Sequence, residues 1–188
     1  MEGDGVTIRL ATLEDVPDLR VLIDVSVREL SVGYLTPDQI ERELQFVISP
    51  DTQLIRDGTY FVGVHPTDGM VAAGGWSRRR ALHGGDAYKA HASADADELL
   101  IPGQDAARIR AMFVHPNWKR RGLGRRLFET ARAAAEAAGF DSLVLTATLP
   151  GVPLYEALGF RTDRRYLDSL PDGSGIPVVE MSRPINPA

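Results

Sequence analysis

Trp118 to Leu127 reads WKRRGLGRRL, five cations packed around two glycines. The run before it, ARIRAMFVHP, alternates Ile109, Ala111 and Phe113 with Arg108, Arg110, Met112 and Val114, the period of a strand that stops at Pro116. After it, Leu127, Phe128, Ala131, Ala134, Ala135 and Ala138 share one face of a helix that Gly139 can end. The order strand, glycine turn, long helix matters more than the charges. Backbone N–H groups at a helix start lack intrahelical acceptors, and the dipole there favours an anion. A phosphate suits such a seat. Gly122 and Gly124 permit close approach of the backbone and unusual dihedrals, and nearby arginines add charge-assisted contacts. A P-loop fails for want of a Lys-Ser/Thr pair, and a dinucleotide fingerprint fails because Leu127 stands where its third glycine belongs. A merely solvated basic helix start explains the composition poorly, since cations in a first turn oppose the dipole.

The formal charge of the whole chain is −5, so this basic cluster stands in an otherwise acidic protein, which argues against a nucleic-acid-binding surface. With 188 residues, 44% of them hydrophobic and 25% charged, the chain reads as one globular domain over residues 1–188, with no apolar run long enough to span a bilayer. The start MEGDGVTIRL lacks the pattern of a signal peptide, and there is no cysteine to form disulfides, so a cytoplasmic location is expected. The scattered histidines give no metal-ligand spacing.

Outward from the centre, Val6–Leu10 reads as a short strand and LEDVPDLRVLIDVSVREL as a first helix, with Thr12 or Asp15 as its cap. Thr36-Pro37 opens a second helix with Ile40, Leu44, Val47 and Ile48 as its apolar stripe. Thr59–Val64 and Met70–Ser77 flank a Pro-Thr-Asp-Gly turn as a hairpin. Ala81–Asp105 has little periodicity and reads as an irregular excursion, either a substrate cover or an insertion. Ser142–Thr146 is a strand, Gly151–Leu158 a short helix, and Phe160–Leu167 with Ile176–Ser182 a closing pair.

VHPNWKRRGLGRRL, followed by a helix, an apolar strand and PLYEALGF, resembles the coenzyme-A-binding core of the GNAT superfamily of N-acetyltransferases. The resemblance implies a mixed α/β (α+β) acyl-CoA N-acyltransferase fold. That fold is a twisted, mostly antiparallel sheet of six or seven strands, with helices on both faces and a splayed central parallel pair, Ala106–Val114 and Ser142–Thr146. It implies acetyl-CoA as cosubstrate, a small-molecule primary amine as acceptor and a homodimer as one assembly, without nucleic-acid or membrane partners. The family's phosphate loop, Arg/Gln-x-x-Gly-x-Gly/Ala, maps onto Lys119, Arg120, Arg121, Gly122, Leu123 and Gly124, with Arg125 completing the row of backbone amides. Lys119 replaces the usual Arg or Gln. By the same resemblance, Met112, Phe113 and Val114 offer backbone groups to the pantetheine arm and the thioester carbonyl. Thr148 stands where an Asn is common, and Tyr155 takes the place of the acid that protonates the leaving thiolate. A phenol near pKa 10 and a thiol near 8.5 leave that transfer uphill by roughly 1.5 units, a gap that a modest shift would close.

The attacking amine must be neutral, which calls for a base or a water path to one. Glu98 and His83 are the candidates, while His115, in VHP, reads as a turn residue. Arg78–Arg80 reads as a solvated strand edge or as a lining of the acceptor cleft, and Tyr34 as an acceptor-site residue or a cap on the core. A non-catalytic acyl-CoA sensor on the same scaffold is the alternative to an enzyme.

Overall fold

The structure, a computed structural model, describes residues 5–81, 83–89 and 92–186. Its elements are β1 (Thr7–Leu10), α1 (Val16–Leu30), α2 (Pro37–Phe46), α3 (Thr52–Arg56), β2 (Tyr60–His65), β3 (Gly69–Ser77), α4 (Asp86–Lys89), β4 (Ala107–Val114), α5 (Leu123–Ala137), β5 (Ser142–Thr148), α6 (Val152–Ala157), β6 (Arg161–Ser169) and β7 (Gly175–Pro184). The strands form one seven-stranded sheet in the order β1-β2-β3-β4-β5-β7-β6. Every pairing is antiparallel except β4 with β5. That parallel pair is joined only at Ala107–Leu143 and Arg108–Val144 before the strands part. The mixed sheet and its splayed centre are those expected.

Local chemistry sets the helix boundaries. Thr36 accepts from Gln39 N at 3.2 Å while Gln39 Oε1 accepts from Thr36 N at 3.0 Å, a reciprocal cap with Pro37 at the first helical position. Asp51 caps α3 through the amides of Gln53 and Leu54. No apolar period announces this one-and-a-half-turn helix, and sequence reasoning missed it.

Two cores flank the sheet. On one face Phe128, Ala131 and Ala135 of α5 and Tyr155 and Leu158 of the α6 region pack over Ile109, Leu143 and Leu145. On the other, Leu19 and Leu22 of α1 cover Tyr60, Val62 and Ala73, and Ile23 and Val27 join Ile40 of α2 and Ile176 and Val178 of β7. Strand β4 contributes to both faces, and its alternation inverts along the way. Ala107 and Ile109 lie with α5, yet so does Met112, while Ala111 and Phe113 face α1. A plain two-residue alternation over Arg108–Val114 is therefore corrected. The register against β3 passes from Gly75–Arg110 to Ala73–Phe113, so an extra residue is accommodated at Ala111 and Met112.

The excursion after Ser77 is tied at both ends. Arg80 N and Ala81 N donate to the carbonyls of Glu98 and Ala96, and Gly85 N and Asp86 N donate to Val47 and Pro50. A Cβ on Gly85 would come within 2.1 Å of the Ser49 carbonyl oxygen, so the missing side chain lets this loop press against the end of α2. Its residues 82, 90 and 91 lie outside the described residues. Arg79 pairs with Asp57 and Arg80 with Glu98, and none of Arg78–Arg80 lines the large cleft described below.

Candidate active site

One cleft of about 800 Å³ runs through the splayed centre of the sheet, within the usual range for a cofactor-sized ligand. At one end lie Lys119, Arg120 and Gly122–Arg125, and in the middle β4 from Ile109 to Val114, Thr148 and Tyr155. At the other end lie residues of α1, α2 and the loop at His83–Gly85.

The glycine turn is shaped by its dihedrals. Arg120 (φ 63°) and Gly122 (φ 81°) are both left-handed, which turns successive amides into a concave row. The α5 ladder begins where Arg126 N donates to Gly122 O, so the amides of Leu123, Gly124 and Arg125 precede it. A Cβ on Gly122 meets nothing within 4 Å, whereas one on Gly124 would lie 3.0 Å from Leu154 Cδ2. Gly122 thus serves the backbone conformation, and Gly124 serves the packing of α5 on α6. The basic side chains are mostly engaged elsewhere. Arg121 lies over the Trp118 ring at 4.6 Å, Arg125 donates to the Ala157 carbonyl and Arg126 to that of Val6. Arg121 is not among the cleft residues, and only its backbone belongs to the turn. Trp118 is itself fixed by its Nε1–H to Asp68, and His115 Nδ1 accepts from Asn117 N, the turn role expected of it.

The β4 bulge puts an unusual backbone in the middle of the cleft. Ala111 has φ 54°, a left-handed conformation in a non-glycine residue. Its carbonyl is turned toward α1 and accepts from the Oη of fully buried Tyr60 at 3.3 Å. Opposite, Gly74 has no side chain, and a Cβ there would strike Met112 Sδ at 2.2 Å. The bulge therefore holds Met112, Phe113 and Val114 at the cleft by a hydrogen bond on one side and a glycine on the other.

Tyr155 lies across the split, its ring edge 3.2 Å from where a Gly151 Cβ would be. Burial pushes its phenol pKa well up, so it holds its proton throughout the neutral range. Thr148 ends β5 beside it and also lines the cleft.

At the far end several titratable groups gather. Arg110 is buried and donates to Asp51 at 2.8 Å and to the Gly84 carbonyl, fastening the loop to β4. His83 Nε2 lies 2.9 Å from Asp168 Oδ2 of β6, without the alignment of a full hydrogen bond, and its ring packs 4.7 Å from that of Tyr88. Glu43 of α2 is 2% exposed, and no hydrogen bond or ion pair engages it among the described residues. Burial alone raises its carboxyl to about 7. Tyr34 lines this end of the cleft and is half exposed, so it does not cap the core. Glu98 is not brought to the site: its carboxylate is 60% exposed and 3.2 Å from Arg80 Nε, outside the cleft. Sequence reasoning missed Glu43 and Asp168. Glu43 follows Ile40 by three residues and precedes Val47 by four, so an acid on the buried stripe of α2 was the available signal.

A helix-start turn, a bulged strand and a split sheet are joined here by one cleft. Residues 85–162 match the family model described as acetyltransferase (GNAT) domain. A GCN5-related N-acetyltransferase from Rhodopseudomonas palustris superposes with a TM-score of 0.68 over 98% of both chains, at 15% identity. The ribosomal-protein-S18-alanine N-acetyltransferase of Escherichia coli gives 0.55 at 18% identity, covering 97% of this chain and 96% of its own. The PaiA N-acetyltransferase of Thermoplasma acidophilum, in complex with coenzyme A, gives 0.58 at 11% identity, covering 95% and 98%. At these identities the likeness is one of fold. No curated protein sequence matches the chain. Among the described residues no helix is long and apolar enough to cross a membrane.

Proposed function

We propose that the protein transfers an acetyl group from acetyl-CoA to a primary amine of a small molecule, by direct attack of the amine. The observation that carries this reading is the continuity of the cleft from the α5 amides, past the bulge and Tyr155, to the pocket at Glu43 and His83. Acetyl-CoA supplies an activated acyl thioester, and the chain supplies position and proton handling. Amides of Leu123–Arg125, with the turn before them, seat the pyrophosphate, and Lys119 and Arg120 add charge. The backbone at Met112–Val114 orients the pantetheine arm and polarises the thioester carbonyl. Thr148 offers a hydroxyl to the same arm. Tyr155 donates its proton to the departing sulfur, and the water-poor split that raises its pKa also disfavours a bare thiolate, so donor and acceptor move together. His83, oriented by Asp168, takes the proton of the amine. With no cysteine in the chain, the commonest acyl-carrying nucleophile is absent, which favours direct attack. Apolar walls from Val27, Leu30, Val47 and Ile176 favour a small acceptor with an apolar body.

Calorimetric binding of acetyl-CoA, run beside coenzyme A release with a panel of amines, tests the assignment. Binding with release for at least one amine is expected. Binding with no release for any amine would make the protein an acyl-CoA sensor instead.

A further inference from the structure

Buried carboxyls in a folded protein are almost always paired or hydrogen-bonded, and one that is neither needs a reason. Glu43 is such a group. It is 2% exposed, its Oε2 is buried without a partner, and it stands at the wall of the cleft rather than in a closed core. Its neighbours along the stripe, Ile40 and Val47, pack in the same cluster as Phe113, so α2 carries the carboxyl toward the strand that bears the bulge. The charged and titratable groups facing this end are Tyr34 from the α1–α2 connection, His83, Arg110 of β4 and Asp168 of β6. Arg110 is engaged by Asp51 and His83 lies against Asp168. From α1 the neighbours are Ser26, Val27, Leu30 and Ser31, and β7 adds Ile176 and Val178, none of them charged. Among the described residues no cation is therefore left to satisfy Glu43.

We infer that Glu43 is the cation-recognising group of the acceptor end, and that the acceptor is an amine with an apolar body whose charged nitrogen completes the unpaired carboxylate. The inference rests on the acyl-transfer reading for the identity of the ligand, but the recognition itself is a property of the pocket. Desolvation works in its favour: an ammonium entering this site gains a charge-assisted bond that water would screen elsewhere.

n-Pentylamine and its neutral isostere 1-pentanol, titrated into the coenzyme-A-loaded protein by calorimetry, test this. Pentylammonium stays charged from pH 5.5 to 8, so any change over that interval comes from the protein. At pH 8 the wild type should bind pentylamine at least tenfold more tightly than 1-pentanol, and this preference should shrink at pH 5.5 as the carboxyl takes up its proton. Glu43→Gln should bind both compounds alike at either pH. A carboxyl-carbon NMR titration of Glu43 in the wild type guards against a variant that folds poorly, and saturating pentylamine should lower its midpoint. Equal binding of the two compounds by the wild type, a preference that survives in Glu43→Gln, or a midpoint that pentylamine leaves in place would each overturn the inference. Should acetyl-CoA fail to bind, the acyl-transfer reading falls, and the same comparison on the ligand-free protein still decides the role of Glu43.

Discussion

Tyr155 and Glu43 are both buried titratable residues, and burial moves both pKa values upward, with opposite consequences. For the phenol, the shift keeps a donor in its donating form. Tyr155→Phe should lower kcat by roughly a hundredfold, in keeping with a lost general acid, while acetyl-CoA affinity changes less than threefold. Equal rates for the two proteins, measured by coenzyme A release, would remove the acid role. For the carboxyl, the shift makes the folded state bind a proton that the unfolded chain releases. The stabilisation is complete below the unfolded value of 4.5 and is lost as the pH rises through about 7. The 2.5-unit difference amounts to roughly 3 kcal/mol. Urea unfolding at pH 5 and pH 8 should show a loss of that order in the wild type, and Glu43→Gln should flatten it. The stripe Ile40, Leu44, Val47 and Ile48 was legible from spacing, but the meaning of Glu43 within it was not. Whether an acid on a buried stripe finds a partner depends on residues far away in sequence, here Asp168, Arg110 and the loop at His83.

Strand β4 shows the same limit for an element. Its existence followed from apolar alternation and its stop from Pro116, and the helix after the glycine turn followed from its own apolar face. Its bulge did not, although Gly74-Gly75 in the facing strand was a sign of it, because glycine inside a strand often marks a bulge or a close approach. Only the pairing of β3 with β4 shows which strand carries the extra residue. The turn at Gly122 was read as needing unusual dihedrals as well as room for a phosphate, and its φ of 81° is such a left-handed dihedral. Tyr60 holds the bulge from outside the cleft. It is a positioning residue, and Tyr60→Phe removes its hydroxyl while leaving the ring in the core. The bulge carbonyl then loses its donor, at a stability cost of about 1 kcal/mol. The catalytic loss should be larger in proportion, roughly tenfold in kcat with little change in KM for acetyl-CoA, since a backbone displaced by a fraction of an ångström spoils alignment. A purely structural role would instead leave kcat unchanged once the folded fraction is corrected for.

For the molecule as a whole, the decisive feature is how weakly the sheet is joined at its centre. Two residue pairs link β4 to β5, and beyond them β1–β4 and β5–β7 meet through helices and loops, such as Gly124 against Leu154, Arg125 on the Ala157 carbonyl and His83 beside Asp168. A ligand lying in the cleft touches both halves, so it supplies contacts that the chain itself lacks. Amide exchange with and without acetyl-CoA should therefore show a pattern set by the split. At a ligand concentration 100 times Kd, openings that release the ligand become harder by about 2.7 kcal/mol, a hundredfold in rate. Slowing of that size is expected at residues 109–114, 120–125 and 145–148, on both sides of the split, while amides that exchange by local fraying at the outer edge of β6 keep their rates. Protection confined to the α5 turn would mean that the ligand is held by its phosphates alone and leaves the two halves uncoupled, and the path proposed for the acyl group between Tyr155 and the bulge would then have no support.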